Sequence, residues 1–215
     1  MTTAISIPIT HTTDTTPAVV VVPRELSGPQ WCSRYPGINT IDELAEPFQT
    51  GFREFLTAMQ NAGMNARITA IYRPPERSYL MHFSKAIATG TDPRQVKAFE
   101  PRADDGPVLI NWVHKNNSGD YDADASKQAA EQMVIGYGTQ GNPVAAPYAS
   151  RHNSRPSNAV DTNLRTMTIP ANCVMEDKQG NSVRINKRED LYTVARTYGV
   201  YKLLNDLPHW SNDGH

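Results

Sequence analysis

The stretch Ser150-Arg-His-Asn-Ser-Arg-Pro-Ser-Asn-Ala-Val-Asp161 passes from loop to strand, and it carries a histidine in the loop and a carboxylate where the strand begins. Ser, Asn and Pro dominate up to Asn158, the composition of irregular backbone. From Ala159 the chain turns apolar, and a strand is expected over 159–169. A loop histidine and a strand-borne carboxylate can supply two ligands to one ion. A third donor is found near the end of the chain, in Asp206-Leu-Pro-His-Trp210. Imidazole and carboxylate together favour zinc, and three protein ligands leave the fourth tetrahedral position for water. Asp206 and His209 are three residues apart, so on a regular strand they point to opposite faces. Pro208 biases Leu207 away from helix. The pair therefore faces one site only if it sits on a turn.

Outward from these segments, the pattern is that of an α+β protein. Phe48, Phe52, Phe55, Leu56 and Met59 recur at steps of three and four residues, which predicts a helix from about Pro47 to Ala62 with Gly63 as its stop. Thr40-x-x-Glu43 has the form of a capping box ahead of it. Arg67 to Arg73 alternates and is closed by Pro74-Pro75, so it reads as a strand. Helices are expected over Tyr79–Ala88 and Ser126–Tyr137, the second ended by Gly138. The type of the apolar segment Val108–His114 is left open. A strand over Ser182–Ile185 follows the turn at Lys178-Gln179-Gly180-Asn181. Asn186-x-x-Glu189 opens a last helix, to about Tyr198, with Gly199 as its stop. Helix, strand, helices, strands, helix is the order of an α+β fold: a small, mainly antiparallel sheet packed with helices, the metal site lying on the sheet in a cleft.

The chain has 215 residues, 21 Lys+Arg against 22 Asp+Glu and a net charge of −1. That balance argues against nucleic acid or an anionic membrane as partner. No apolar run approaches the roughly 20 residues that span a bilayer; the longest, Ala18–Val22, is expected to end a loose N-terminal tail as an edge strand. Residues 1–30 are read as that tail and 31–215 as one domain. The first 23 residues contain no Lys or Arg, so the positive region of a secretory signal is missing. Cys32 and Cys173 are too few for a disulfide framework and lack metal spacing; two free thiols or one long-range disulfide remain open.

The order Ser-x-His, then Ala-x-Asp, then an acidic residue three before His-Trp resembles the LAS metallopeptidases, zinc enzymes that cut the peptides of peptidoglycan. The upstream Ile71-Tyr72-Arg73-Pro74-Pro75 resembles their Tyr-Arg-Ser segment. The resemblance runs from about residue 47 to 215. Eight residues separate His152 from Asp161, none of them glycine, against the family's usual six with a glycine among them. Glu76-Arg77-Ser78 occupies the region of the family's glutamine.

The resemblance implies zinc held by His152, Asp161 and His209, with Asp206 as general base and Arg73 offsetting negative charge on the substrate. Tyr72, Ser150 and Trp210 become substrate neighbours, Trp210 as a wall supporting the His209 ring. The implied reaction is hydrolysis of an amide bond in a stem or cross-link peptide, endopeptidase before carboxypeptidase. The implied partners are a peptidoglycan peptide, delivery machinery and an immunity protein, and the protein is expected to be a monomer. Without a signal peptide, such an enzyme is expected to reach the wall by holin release or a secretion system. A non-catalytic zinc module of the same fold is the alternative. Ordinary readings stand beside these roles: a surface-loop histidine for 152, a turn residue for Asp206, core packing for Trp210. His114 is expected to be a hydrogen-bonded structural histidine. His215 is the substitute ligand should His209 fail, and Arg151, Arg155 and Arg165 are expected near the site.

Overall fold

The computed structural model describes residues 23–141 and 144–215, so the strand expected at Ala18–Val22 lies outside the described residues. In chain order the elements are β1 (Glu25–Leu26), α1 (Phe48–Asn61), β2 (Ile68–Ala70), α2 (Pro75–Ala88), β3 (Ile110–Asn111), α3 (Ala123–Tyr137), β4 (Ala159–Thr162), β5 (Val174–Glu176), β6 (Ser182–Arg184), α4 (Arg188–Thr197), β7 (Tyr201–Lys202) and β8 (His209–Ser211). The fold is α+β, as expected. Its centre is an antiparallel sheet in the order β2-β4-β8-β7, accompanied by a parallel pair β1–β3 and a hairpin β5–β6.

The described residues form two apolar cores, the first of them packed behind the central sheet. In the first, the α1 stripe of Phe48, Phe52, Phe55 and Met59 meets Val160 of β4, Leu191 of α4 and Trp210 of β8. Phe55 is fully enclosed and packs edge-on against Trp210, ring centroids 5.3 Å apart. Each such side chain, moved from water to this interior, stabilises the fold by roughly 1.5–3 kcal/mol. The second core joins α2, α3 and the segment between them through Trp31, Tyr79, Leu80, Trp112 and Met133.

Several expected boundaries move, each for a local reason. The helix expected from Tyr79 starts at Pro75, because proline at a first helical position loses no hydrogen bond the helix would have made. The strand expected over 159–169 stops at Thr162, where Asn163 turns the chain. Its carboxamide accepts from the Arg67 amide at 2.7 Å and donates to the Asn65 carbonyl at 2.8 Å. Thr40 makes no side-chain cap; Ile41–Glu43 is a short 3-10 turn. The last helix is capped by Asp190, not Glu189, since its carboxylate accepts from the Asn186 and Lys187 amides. Gly138 does end α3, in the left-handed conformation at φ 68° that glycine adopts freely. The chain before Trp31 is not all tail: Glu25 and Leu26 pair with Ile110 and Asn111.

Cys32 and Cys173 are free thiols, their Sγ atoms directed at the Met133 and Ala62 carbonyls. No helix among the described residues is long and apolar enough to cross a membrane.

Candidate metal centre

Strand pairing brings the centre together. Asp161 of β4 lies directly opposite His209 of β8. Side chains alternate along a strand, so the neighbours Val160 and Trp210 enter the core while Asp161 and His209 face the cleft. His152 reaches the same point from a 3-10 turn, Arg151–Asn153, opened by Ser150, whose hydroxyl accepts from the His152 amide. That turn is tied to the end of β2: the Arg73 amide donates to the His152 carbonyl at 2.9 Å. Asn153 Nδ2 donates to the Arg73 carbonyl and to Ser78 Oγ, both at 2.8 Å. The eight residues between His152 and Asp161 are anchored midway by Ser157, whose hydroxyl donates to the Ile71 carbonyl. The longer spacing is absorbed there without separating the donors.

The donor atoms converge closely. His152 Nε2 is 3.1 Å from Asp161 Oδ1 and 3.1 Å from His209 Nδ1, and His209 Nδ1 is 3.2 Å from Asp161 Oδ1. Ligand atoms about 2.0–2.1 Å from one tetrahedral metal lie roughly 3.3–3.4 Å from each other, so this triangle is close to metal-binding size. The outward nitrogens decide the protonation. His152 Nδ1 donates to the Ile71 carbonyl at 2.5 Å, and His209 Nε2 donates to the His215 carbonyl at 3.2 Å. With those protons outside, the inward nitrogens of both neutral imidazoles are bare lone pairs. Together with the carboxylate they make three acceptors facing one another, an arrangement that requires a cation. His152, Asp161 and His209 are the one group of His, Cys, Asp and Glu side chains among the described residues that can hold a metal ion.

Burial pushes the Asp161 carboxyl upward, but without metal a proton that takes the ion's place on the facing imidazoles donates to it, and with the Arg73 charge this outweighs burial and holds it well below the usual carboxylate range. Arg73 Nη2 lies 3.7 Å from Asp161 Oδ2. Burial lowers the Arg73 guanidinium, partly offset by the Asp161 and Asp206 carboxylates. Burial also draws Lys202 down to about 8, against the pull of the same two carboxylates.

The centre opens into a cleft of about 510 Å³ between the two cores. Arg73, Ser150, Arg151, Asp206 and His215 line it from the sheet side, and Met81 and Tyr137 from the helical side. Asp206 sits, as the spacing demands, on a turn: its carbonyl accepts from the His209 amide at 3.1 Å. Among the described residues, nothing forms a hydrogen bond or ion pair with the Asp206 carboxylate. A larger surface groove of about 640 Å³ between α1 and the β5–β6 hairpin contains none of these groups.

Some expected site residues are elsewhere. Trp210 is not a wall of the cleft: it is wholly buried on the opposite side of the sheet, its Nε1 donating to Thr162 Oγ1 at 3.0 Å. Strand alternation next to His209 requires this. Tyr72 does not line the cleft and lies under the Arg155 guanidinium. Arg155 pairs with Glu43, and neither it nor Arg165 lines the cleft; Arg151 does, paired with Asp213. His215 contributes its backbone carbonyl, not its imidazole, to the centre. His114 is structural, bonded to Ser27 Oγ at 3.0 Å. The Ile71 and His215 carbonyls, which fix both tautomers, and Lys202 were not foreseen, and no side-chain pattern announces a backbone carbonyl.

No family model matches the chain, and no curated protein matches it.

Proposed function

We propose that the protein is a zinc peptidase that hydrolyses an amide bond in the stem or cross-link peptides of peptidoglycan. The observation that carries this reading is the juxtaposition of two kinds of group in one cleft: three convergent lone-pair donors, and beside them an acidic side chain, Asp206, with no hydrogen-bond or ion-pair partner among the described residues. A site built only to hold metal has no use for a further unpaired carboxylate. The resemblance of the motif order to the LAS metallopeptidases supports the same reading and supplies the substrate class.

His152, Asp161 and His209 would hold the zinc, and their donor set of two imidazoles and one carboxylate suits that ion. When bound, zinc supplies a Lewis acid that acidifies water and polarises a carbonyl. The Ile71 and His215 carbonyls keep both imidazole lone pairs turned inward throughout. Asp206 takes the proton of the attacking water and returns it to the leaving amine, help worth roughly 10²–10⁴ in rate. Arg73, fixed beside Asp161, presents its guanidinium to the oxyanion or to a substrate carboxylate.

Incubation of the zinc-loaded protein with purified muropeptides tests the reading. Mass spectrometry should show fragment pairs whose summed mass exceeds the parent by one water. Unchanged masses at full zinc occupancy would make the protein a binding module instead.

A further inference from the structure

Lys202 is the residue opposite Trp210 in the β7–β8 pair, and only 8% of it is exposed. No carboxylate among the described residues forms an ion pair with it. Its ammonium instead donates to three backbone carbonyls of the turn that follows: Leu203 at 2.6 Å, His209 at 2.8 Å and Asp206. That is the full complement of donors on an ammonium. Each of these carbonyls already accepts one amide bond inside the turn: Leu203 from Asp206, Asp206 from His209 and, at 3.4 Å, His209 from Leu203. The turn is thus cross-linked at both ends and the middle through a single atom. The same ammonium lies over the rings of Trp210 and Tyr192, 5.5 and 5.9 Å from their centroids, which closes the space behind it.

We infer that Lys202 is the positioning residue of the centre, clamping the 203–209 turn so that the His209 imidazole and the Asp206 carboxylate face the same cleft. Asp206 and His209 are three residues apart and cannot share a side on regular strand, so something must hold the intervening backbone folded back. The turn's own amide bonds close it locally. The ammonium joins its first, middle and last carbonyls to the interior of the sheet. The part concerning Asp206 rests on the peptidase reading; the part concerning His209 does not.

The test compares zinc affinity in the full-length wild type and four variants, Lys202→Met, Lys202→Arg, Val194→Ala and Asp206→Ala, each shown to be folded by circular dichroism. Perturbing a group that orients a metal ligand typically costs 10–100-fold in affinity, and Lys202→Met should fall in that range. Lys202→Arg keeps the charge but its planar fork does not converge on three carbonyls, so it should recover only part of the loss. Val194→Ala weakens the same core from α4, outside the turn's own hydrogen bonds, and should bind zinc as tightly as wild type. Asp206→Ala should do the same, so a failed peptidase assay leaves this measurement intact. The inference is overturned if folded Lys202→Met binds zinc within twofold of wild type, if Lys202→Arg restores wild-type affinity, or if Val194→Ala loses as much as Lys202→Met. Failure of both Lys202 variants to fold would also overturn it, assigning the lysine to the core and not to the turn.

Discussion

His152 Nε2 and His209 Nδ1 face each other at 3.1 Å with their rings nearly perpendicular, and each imidazole spends its own proton on a backbone carbonyl pointing away from the other. Two lone pairs and the Asp161 carboxylate are thereby left with nothing to share but a cation.

Zinc should therefore bind with a stoichiometry of about one per chain and stabilise the fold. At 100 times Kd, linkage gives about 2.7 kcal/mol. Thermal melts with zinc and with EDTA should differ accordingly. In His152→Ala the difference should vanish, while the fold survives because the Ile71 carbonyl keeps the Ser157 hydroxyl as donor.

Acid should affect the metal-free protein through Asp161 only at low pH. Burial raises this carboxyl, but in the metal-free protein a proton that takes the ion's place on the facing imidazoles donates to it, and with Arg73 this brings its folded pKa below the unfolded value of about 3.9. A depressed pKa contributes stability that is complete above the unfolded value and lost as pH falls through the folded one. Urea midpoints in EDTA should place Asp161→Asn below wild type by a steady margin between about pH 5 and 6, narrowing below about pH 4. A margin that widens towards acid would contradict this sign.

Arg73→Ala should retain zinc and lower turnover by about 10²–10³, the usual cost of one lost donor to a developing oxyanion. Arg73→Lys should restore only part of it, since a point charge does not reproduce the fork. Metal content and initial rates, measured on the same samples, separate loss of the ion from loss of chemistry.

Packing of α1 allows one further substitution test. A Cβ at Gly51 would lie 2.0 Å from the Tyr198 carbonyl oxygen, so Gly51→Ala must push the helix off the turn that ends α4. Overpacking of this type costs about 1–3 kcal/mol, readable as a lowered urea midpoint. Zinc affinity should be unchanged, because α1 lies behind the sheet.

The apolar stripe of α1 and the glycine stop of α3 were legible in the sequence because both are local regularities. The donors His152, Asp161 and His209 were legible because their side-chain chemistry is specific, and the demand for a turn at Asp206 and His209 followed from spacing alone, although that turn ends at His209, which opens β8. Trp210 reads in the sequence either as a wall of the cleft or as core packing, and only the strand beginning at His209 decides for the core, because alternation sends the neighbour of a cleft-facing residue inward. The second core, spread over α2, α3 and the segment between them, depends on long-range contacts that no periodic pattern marks. Lys202 reads in sequence as an ordinary surface cation. Only the fold shows that three carbonyls surround it.

The central claim is tested most directly by comparing muropeptide hydrolysis by wild type and Asp206→Ala at equal, measured zinc occupancy. The account predicts new fragments from wild type and a rate at least about 10²-fold lower from the variant. Equal rates would contradict it, as would a wild type that holds zinc and cuts nothing.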